Sequence, residues 1–477
     1  MEAQPLYLRI ARHYRGAIQS GALTAGDAMP SVRALTRLHS VSLSTALQAC
    51  RSLEDEGLVE ARPRSGYFVL KARRAAMAPL VEPDPRAIDP AQYVGVHDRV
   101  SRFVATSERH AIQADFAATY AAAAAYPGDD LKQAAMRALR RDPGLLVRAG
   151  PLQAEPALRG AIARRALDAG MNLSPDDITV THGCIEALNV ALRAVAQPGD
   201  TIAVESPTYF GLLQVLESLN LRALEVPTSP TTGISIEALA FALQTHPHIK
   251  ALVVMPNLHN PLSSVMPDAD KARLVELCEQ HGVPLIEDDT YGGLGDDDTP
   301  LKALKSWDRS GNVIHCASLR KTLAPGMRLG WMNGGRWQAR VQMLKYSQSR
   351  ANEALSQLAM AEFMASSAHD RHLARLRRLL KRQREQVAEA IATHFPHGTR
   401  LTEPRGSMLL WVELPDHRSA ECVFDAALVQ GIRIAPGSLF SNSNRFDHFM
   451  RISCGAPFTP ETDQALKRLA AIVASRP

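Results

Sequence analysis

"ITVTHGCIEALNVALRAVA", residues 178–196, joins a short β-branched run to an apolar helical stretch through a single glycine, Gly183. Isoleucine, threonine and valine favour an extended strand. The alanines and leucines that follow Gly183 have the spacing of a helix with one broad apolar face. The stretch therefore predicts a strand, a turn and a helix, in that order.

The same alternation continues through the rest of the chain. Short apolar runs and longer helical runs alternate in 200–209, 211–220, 249–261, 269–282, 283–291 and 312–321. Buried strands separated by helices are typical of an open α/β sheet. Ligands in such folds bind at the carboxyl ends of the strands, so we expect the polar residues after each strand to form a site.

Length and composition predict a globular protein of two or three domains. The chain has 477 residues, of which 46% are hydrophobic, and this is too long for one core. No uncharged apolar run reaches the about 18 residues of a membrane span, and the charged start "MEAQPLYLRIARHYRG" is unlike a signal sequence. The six cysteines are scattered without a CxxC pair. This pattern favours a cytoplasmic protein and argues against a metal site or a disulfide scaffold.

The excess positive charge is confined to the start of the chain. Residues 1–74 contain 11 Lys and Arg against 6 Asp and Glu, a net charge of +5, and the whole chain, with 54 against 49, also carries +5. The remaining residues therefore balance. A small basic unit joined to a large neutral one indicates a nucleic-acid-binding module, with a simple basic tail as the alternative.

The first 70 residues have the pattern of three helices and a hairpin. Apolar residues recur every four positions in the first helix, at Leu6, Ile10, Tyr14 and Ile18. Ser31 and Ser42 are N-caps for the second and third helices, and the third should turn inward its apolar positions Ala46, Ala49, Cys50 and Leu53. "LVEARPRSGYFVL", residues 58–70, alternates like two short strands. In such a winged helix–turn–helix the third helix enters the major groove and the hairpin contacts phosphate, so we expect duplex DNA as a partner.

The motifs "MPSVRAL", "VSLST" and "EGLVEARPRSGYFV" make this segment resemble the GntR family of winged-helix regulators. The resemblance implies DNA contacts from the second helix, from the polar turn that opens the third helix and from the wing. These positions are Arg33, Ser42, Ser44, Thr45, Arg62, Arg64 and Gly66. Many members of the family have arginine where this chain has Leu43.

The α/β part of the chain has polar residues directly after its predicted strands. Gly183 and Cys184 lie at a helix N-terminus, whose free N–H groups suit a phosphate. The other candidates are Tyr209, Asn260, Asp288, Tyr291, Ser318, Lys321 and Arg328. Taken singly, each is more often a turn, a cap or an exposed side chain. Their order and spacing together indicate one binding site.

In this order the residues resemble the fold-type I pyridoxal-phosphate enzymes, the aspartate-aminotransferase-like family, over about residues 114–477. The resemblance implies that Lys321 forms the Schiff base with pyridoxal 5′-phosphate. A buried lysine beside a cation has the lowered pKa that this bond needs. Asp288 resembles the carboxylate that pairs with the pyridine nitrogen and makes the ring an electron sink.

Further positions match the ligands of the cofactor and the substrate in that family. Ser318 and Arg328 resemble phosphate ligands, beside the turn formed by Gly183, Cys184 and Ile185. Asn260 and Tyr291 resemble the donors to the phenolate oxygen of the ring, and Tyr209 the aromatic side chain that stacks on it. Arg451 in "FMRISCG" resembles the arginine that binds the substrate carboxylate.

Four positions depart from the family pattern. Ala149 stands where a tyrosine that reaches the partner subunit's phosphate is common, and Ile185 stands where glutamine is common. Leu262 replaces a usual threonine, and Arg320 replaces a small hydroxyl residue. We therefore expect a weaker or rearranged phosphate site, with Arg320 compensating.

The sequence predicts three segments: a winged helix–turn–helix domain over 1–72, a linker over 73–113 and an aminotransferase-like body over 114–477. Alanine, proline and charge without a period define the linker. The whole arrangement resembles the MocR subfamily of bacterial regulators. This resemblance implies a head-to-tail homodimer that senses pyridoxal phosphate, an amino compound or both, with little net turnover. A working aminotransferase with an attached DNA-binding domain is the alternative, and a binding module without cofactor fits the lysine site less well.

Overall fold

The computed structural model describes residues 5–19, 22–24, 26–55, 58–62, 65–70, 77–84, 91–151, 153–297 and 299–475. The chain divides into two compact units, Met1–Ala76 (unit 1) and Met77–Pro477 (unit 2). The predicted α/β class is confirmed, because unit 2 is built on a large mixed sheet, and the small helical domain precedes it.

Unit 1 is a small helical domain with a hairpin. Its described helices are α1 (Leu6–Gln19), α2 (Val32–His39) and α3 (Leu43–Asp55). Its described strands, β1 (Val59–Arg62) and β2 (Gly66–Val69), pair antiparallel. This is the predicted order of a winged helix–turn–helix domain.

Apolar side chains of all three helices form the core of unit 1. Of the predicted face of α1, Ile10, Tyr14 and Ile18 are buried, whereas Leu6, at the first position of the helix, is 55% exposed. The predicted inward positions of α3 are all buried, and Leu35 of α2 packs with them. The four-residue spacing therefore predicted this core correctly except at Leu6, the first residue of α1.

Two serines cap the second and third helices as predicted. Ser31 Oγ accepts a hydrogen bond from Ala34 N (3.2 Å), and Ser42 Oγ accepts one from Thr45 N (3.1 Å). Each bond satisfies an N–H group that has no partner inside its helix. The caps fix where α2 and α3 begin.

Unit 2 combines helices with three sheets in its described residues. Its helices are α4 (His97–Glu108), α5 (Gly128–Arg141), α6 (Pro156–Ala166), α7 (Cys184–Val195), α8 (Phe210–Ser218), α9 (Ile236–Thr245), α10 (Asp268–Gln280), α11 (Gln338–Ser349), α12 (Ala354–Met364), α13 (Ser367–His394), α14 (Ala420–Val429) and α15 (Pro460–Ala474). Its strands are β3 (Gln92–Tyr93), β4 (Ala114–Asp115), β5 (Thr179–Thr181), β6 (Thr201–Ser206), β7 (Arg222–Ser229), β8 (Gly233–Ile234), β9 (Ile249–Val254), β10 (Leu285–Asp288), β11 (Val313–Ser318), β12 (Gly330–Asn333), β13 (Arg400–Leu401), β14 (Leu409–Glu413), β15 (Ile432–Arg433), β16 (Ala435–Pro436) and β17 (Phe449–Ser453).

The large sheet has the strand order β3-β7-β6-β9-β10-β11-β12-β5, and β8 pairs with β7. Strands β7, β6, β9, β10 and β11 are parallel, while β12 runs antiparallel between β11 and β5. The parallel strands are almost fully buried, as expected where helices cover both faces of a sheet. Because β5 and β11 are both antiparallel to β12, β5 runs in the same direction as the parallel strands.

The carboxyl ends of β5, β6, β9, β10 and β11 therefore lie along one edge of the large sheet. Gly183 follows β5, Asn260 follows β9, Asp288 ends β10 and Lys321 follows β11. Strand direction thus brings to one edge residues that are far apart in sequence.

A second sheet positions the last candidate residue. Strands β13, β14, β17 and β16 form it in that order, all antiparallel. Its apolar core is shared with α13, α14 and α15. Arg451 lies in β17, opposite Trp411 of β14 and Ala435 of β16, so its backbone is fixed on both sides.

The segment 73–113, expected to be a linker, contains regular structure in its described part. Strand β3 pairs with β7, and α4 packs on the large apolar core of unit 2, to which it also belongs. Glu217 of α8 accepts hydrogen bonds from Val96 N (2.7 Å) and His97 N (2.8 Å), and Arg99 donates to Ser438 O (2.7 Å). Several of the contacts that hold this segment are polar, and its helix left only a weak periodic signal in the sequence.

Helix α13 is long, with 28 residues, but it contains six arginines and one lysine. Across the described residues, no helix combines the length and the apolar character needed to cross a membrane.

Gly330 of β12 makes a close approach to the N-terminus of α7. A Cβ atom at Gly330 would lie 2.7 Å from Ala317 O and 2.7 Å from Gly183 Cα. Both are backbone atoms, which cannot rotate away. We therefore expect Gly330→Ala to lower the free energy of unfolding by about 1–3 kcal/mol, measured by urea denaturation.

Gly326 provides the matched control, because a Cβ atom there meets nothing within 4 Å. Gly326→Ala should change the free energy of unfolding by less than about 0.5 kcal/mol. Equal losses in the two variants would show that the close approach at Gly330 does not constrain the sheet.

Candidate functional site

Lys321 lies in the loop that follows β11, and its side chain is 8% exposed. Its Nζ donates hydrogen bonds to Thr119 O (3.0 Å) and Thr119 Oγ1 (2.7 Å). The same atom lies 3.9 Å from the centroid of the Tyr120 ring. Within the described part of the chain this amine forms no ion pair, so neutral groups alone hold it.

The surroundings of Lys321 favour its neutral form. Burial lowers the pKa of the amine, and the guanidinium groups of Arg320 and Arg451 lower it further, to about 7. Asp288 acts in the opposite direction without compensating. The neutral amine is the form that attacks a carbonyl carbon, so Lys321 can act as a nucleophile near neutral pH.

Asp288 is a buried carboxylate at the end of β10. Its Oδ1 accepts hydrogen bonds from Cys184 Sγ (3.2 Å) and Thr290 N (3.0 Å). Burial raises the pKa of Asp288, and these hydrogen bonds oppose the rise only in part. Among the described residues no cationic side chain forms an ion pair with it, which leaves the carboxylate available to a cationic N–H group of a ligand.

Arg451 is a second buried charge in this region, with a side chain 2% exposed. Its Nη1 donates to Asn260 Oδ1 (3.0 Å) and its Nη2 to Ala117 O (2.7 Å), and its Nε is buried without a partner. Its Cζ lies 5.0 Å from the centroid of the Phe440 ring. The side chain has only neutral partners among the described residues, and a buried cation of this kind is costly unless an anion binds to it.

Two tyrosines lie near this charge. Tyr291 is 2% exposed, and burial raises its pKa. Burial also raises the pKa of Tyr209 to about 12, although attraction to Arg451 opposes the rise in both cases. Both hydroxyl groups therefore stay protonated at neutral pH and can donate hydrogen bonds.

The predicted phosphate turn lies at the start of α7. Gly183 has a φ of +89°, where other residues are strained, and no side chain of the described residues caps the helix. Cys184 is buried, while Ile185 is 39% exposed. Ser318 Oγ accepts a hydrogen bond from Arg320 N (3.2 Å). Uncapped N–H groups at the start of a helix are suited to bind an anion.

Arg328 is placed differently from the other candidates. It follows the short helix Pro325–Met327 with a φ of +50°, and its side chain is exposed. Within the described residues the guanidinium makes no hydrogen bond or ion pair. Its role as a phosphate ligand stays a prediction.

Sequence reasoning missed Thr119 and Tyr120, which contact Lys321 directly. Both belong to "AATYAAAAAYPGDD", residues 117–130, which is notable in sequence only for its alanines. Tyr126 of the same segment donates from its hydroxyl to Lys321 O (3.4 Å). The only sequence signal was that these three polar residues interrupt an alanine-rich tract.

The candidate DNA contacts of unit 1 that the structure describes lie on its surface. Arg33 is exposed near the start of α2. Ser42, Ser44 and Thr45 are linked at the start of α3, because Ser42 Oγ lies 2.8 Å from both Ser44 Oγ and Thr45 Oγ1. Leu43, between them, is 61% exposed.

The hairpin supplies the remaining candidates of unit 1. Arg62 pairs with Glu60 (2.7 Å), and its Cζ lies 4.4 Å from the centroid of the Phe68 ring. Gly66 is exposed, with a φ of +99°. Arg64 lies outside the described residues. A DNA contact by Arg62 therefore has to compete with Glu60.

The groups of unit 2 fit pyridoxal 5′-phosphate. A buried carboxylate, Asp288, suits a protonated ring nitrogen, and a neutral buried amine, Lys321, suits an aldehyde. The uncapped start of α7 suits a phosphate. In contrast, no cluster of His, Cys, Asp and Glu among the described residues is arranged to bind a metal ion.

Comparison with known proteins supports both units. The profile for bacterial regulatory proteins of the gntR family matches residues 6–69, and that for aminotransferase class I and II matches residues 122–469. The Escherichia coli (strain K12) proteins called uncharacterized HTH-type transcriptional regulators YjiR and YdcR are each 34% identical to this chain. The match to YjiR covers 97% of both chains, and that to YdcR covers 98% of this chain and 99% of the relative.

A solved structure shows the fold of unit 2. LysN, an alpha-aminoadipate aminotransferase from Thermus thermophilus, was crystallised with N-(5′-phosphopyridoxyl)-L-leucine. It aligns with a TM-score of 0.72 at 24% identity, over 79% of this chain and 96% of that chain.

The fold and the site thus define a pyridoxal-phosphate-binding body of the fold-type I aminotransferase class. The chain belongs to the aminotransferase class I and II family and carries an N-terminal gntR-family domain, the architecture of the MocR subfamily of regulators. The predicted family, fold and cofactor are therefore confirmed, whereas the roles of the individual site residues stay predictions.

The lowered pKa of Lys321 predicts how its reactivity depends on pH. In cofactor-free protein, the rate at which Lys321 reacts with added pyridoxal 5′-phosphate should rise with a midpoint at about pH 7, because the amine loses its proton there. Stopped-flow absorbance measures this rate, and Lys321→Ala, which lacks the amine, is the control. A rate that keeps rising to the pH of an ordinary lysine, about 10.4, would contradict the proposed surroundings.

Proposed function

We propose that this protein is a DNA-binding transcriptional regulator whose aminotransferase-like body senses pyridoxal 5′-phosphate, an amino compound or both. The observation that carries the proposal is the set of buried, uncompensated groups Lys321, Asp288 and Arg451 in a chain that also has a gntR-family domain. The relatives YjiR and YdcR, which match this chain over nearly their full length, are called HTH-type transcriptional regulators. Their names support the same function here.

The ligand class follows from Arg451. Its guanidinium is buried and bound only to neutral acceptors, Asn260 Oδ1 and Ala117 O. A ligand carboxylate offers two charged oxygens that match the planar fork of an arginine. The favoured ligand is therefore an amine that also carries a carboxylate, such as an amino acid.

Each residue of the site has a separate task. When bound, the cofactor supplies an aldehyde for an amine and a ring that withdraws electrons. Asp288 would hold the proton on the ring nitrogen, and Lys321 would supply the neutral amine. Tyr209 would stack on the ring, and Tyr291 would donate a hydrogen bond to it. Arg451 orients the ligand through its carboxylate.

The contacts of Lys321 indicate how ligand binding would change unit 2. The amine holds Thr119 through two hydrogen bonds, and Arg451 holds Ala117 of the same segment. A ligand that engages both side chains would replace these contacts and release the segment 117–121. Such a ligand shifts a two-state equilibrium only as far as its affinities for the two states differ.

We expect the protein to bind two DNA half-sites as a homodimer, since helix–turn–helix dimers read duplex DNA through paired recognition helices. The exposed start of α3, with Ser42, Ser44 and Thr45, would face base edges, and Arg33 would contact phosphate or base. The second candidate function is an active aminotransferase, which the complete set of Lys321, Asp288 and Arg451 also favours.

A DNA-binding titration separates these functions. The full-length protein first selects a duplex from a random library, and fluorescence anisotropy then measures the Kd with and without pyridoxal 5′-phosphate and a panel of amino acids. Wild-type affinity should change with ligand. Lys321→Ala should keep basal DNA binding but lose the response to both ligands, because the amine that bonds to the cofactor is gone.

Two further variants are informative in the same titration. Arg451→Ala should respond to the cofactor but not to the amino acids, whereas Arg33→Ala should weaken binding to the duplex by about 1–3 kcal/mol if it reads a base. A transamination assay runs in parallel and should give rates far below the about 10 s⁻¹ typical of enzymes. Ordinary enzyme rates, combined with DNA affinity that no ligand changes, would establish the aminotransferase instead.

A further inference from the structure

Arg320, which precedes Lys321, lies over the N-terminus of α7. Its Cδ is 3.3 Å from the position that a Cβ on Gly183 would occupy. Its Nη2 donates a hydrogen bond to Tyr120 Oη, and its Cζ is 5.2 Å from the centroid of the Tyr120 ring. Because Tyr120 also lies against the Lys321 amine, it fixes the guanidinium between α7 and Lys321.

The charge of Arg320 is not balanced by any acid among the described residues. Its one side-chain partner is the neutral Tyr120 hydroxyl, and its Nε is buried without a hydrogen bond. The uncapped start of α7 adds the partial positive charge of a helix N-terminus. Arg320 and the start of α7 thus lie beside each other with the same sign of charge, and an anion bound to both would be stabilised.

We propose that Arg320 is a ligand of the cofactor phosphate, a monoester dianion bound between its guanidinium and the first turn of α7. This inference rests on the proposed function, because it assumes that unit 2 binds pyridoxal 5′-phosphate. Arg320 supplies a contact from within the same chain.

The surroundings favour a phosphate over a second carboxylate of the amino ligand. Arg320 lies beside Gly183, and its backbone N–H donates to Ser318 Oγ (3.2 Å), so it is next to the uncapped first turn of α7. Arg451, the candidate carboxylate ligand, instead contacts Asn260 and Ala117. A guanidinium also presents several N–H groups to the three oxygens of a phosphate.

The test compares two ligands that differ only in the phosphate. Cofactor-free full-length protein is titrated with pyridoxal 5′-phosphate and with pyridoxal, and intrinsic fluorescence gives the Kd of each. Arg320→Ser should weaken binding of pyridoxal 5′-phosphate about 10- to 100-fold, the range for losing a hydrogen bond to a charged group. Binding of pyridoxal should change less than about twofold.

Two further variants distinguish loss of the phosphate contact from a folding defect. Arg320→Lys keeps the positive charge and should retain most of the affinity for pyridoxal 5′-phosphate. Tyr120→Phe removes only the hydroxyl that holds the guanidinium, and should give a smaller loss that is again confined to the phosphorylated ligand. Circular dichroism and thermal unfolding show whether each variant is folded.

Two results would overturn the inference: no loss of affinity with Arg320→Ser, or equal losses of affinity for pyridoxal 5′-phosphate and pyridoxal. If wild-type protein binds neither pyridoxal 5′-phosphate nor pyridoxal, the proposed function itself fails. If wild type binds the phosphorylated ligand and Arg320→Ser binds it equally well, only the role of Arg320 fails.

Discussion

The amine of Lys321 is buried against Thr119 and Tyr120, and no acidic side chain among the described residues forms an ion pair with it. Burial and the nearby guanidinium groups of Arg320 and Arg451 favour its neutral form, while the buried carboxylate of Asp288 acts in the opposite direction. Water solvates such charges far better than a protein interior does, so the arrangement costs stability unless a ligand completes it. A cofactor with an anionic phosphate at one end and a protonated ring nitrogen would supply a negative charge for a guanidinium group and a positive charge for the carboxylate.

Strand direction and chain connection explain why the groups meet. Strands β9, β10 and β11 are parallel neighbours, so their carboxyl ends present Asn260, Asp288 and Lys321 side by side. Arg451 comes from a different sheet, where strands on both sides fix β17. The segment 117–121 contacts both Lys321 and Arg451, since Lys321 donates a hydrogen bond to Thr119 and Arg451 donates one to Ala117. A ligand held by both Lys321 and Arg451 would therefore act on one short stretch of backbone.

Local patterns predicted the parts of this structure that depend on local physics. The strand, glycine and helix around Gly183, the caps at Ser31 and Ser42 and the buried face of α3 all follow from residues close in sequence. The family resemblance placed Lys321 and Asp288 at the sheet edge. Thr119 and Tyr120 could not be predicted, because their partner Lys321 is about 200 residues away and an alanine-rich tract gives no sign of that contact. Helix α4 was missed for a similar reason, since distant acceptors on Glu217, Ser438 and Ser441 hold it.

We propose that Lys321 binds pyridoxal 5′-phosphate covalently in unit 2. Borohydride reduction of the protein loaded with cofactor, followed by proteolysis and mass spectrometry, locates this bond because reduction makes it permanent. A phosphopyridoxyl group should be found on the peptide that contains Lys321, and none on the same peptide from Lys321→Ala. Modification of other lysines alone, or no modification at all, would contradict it.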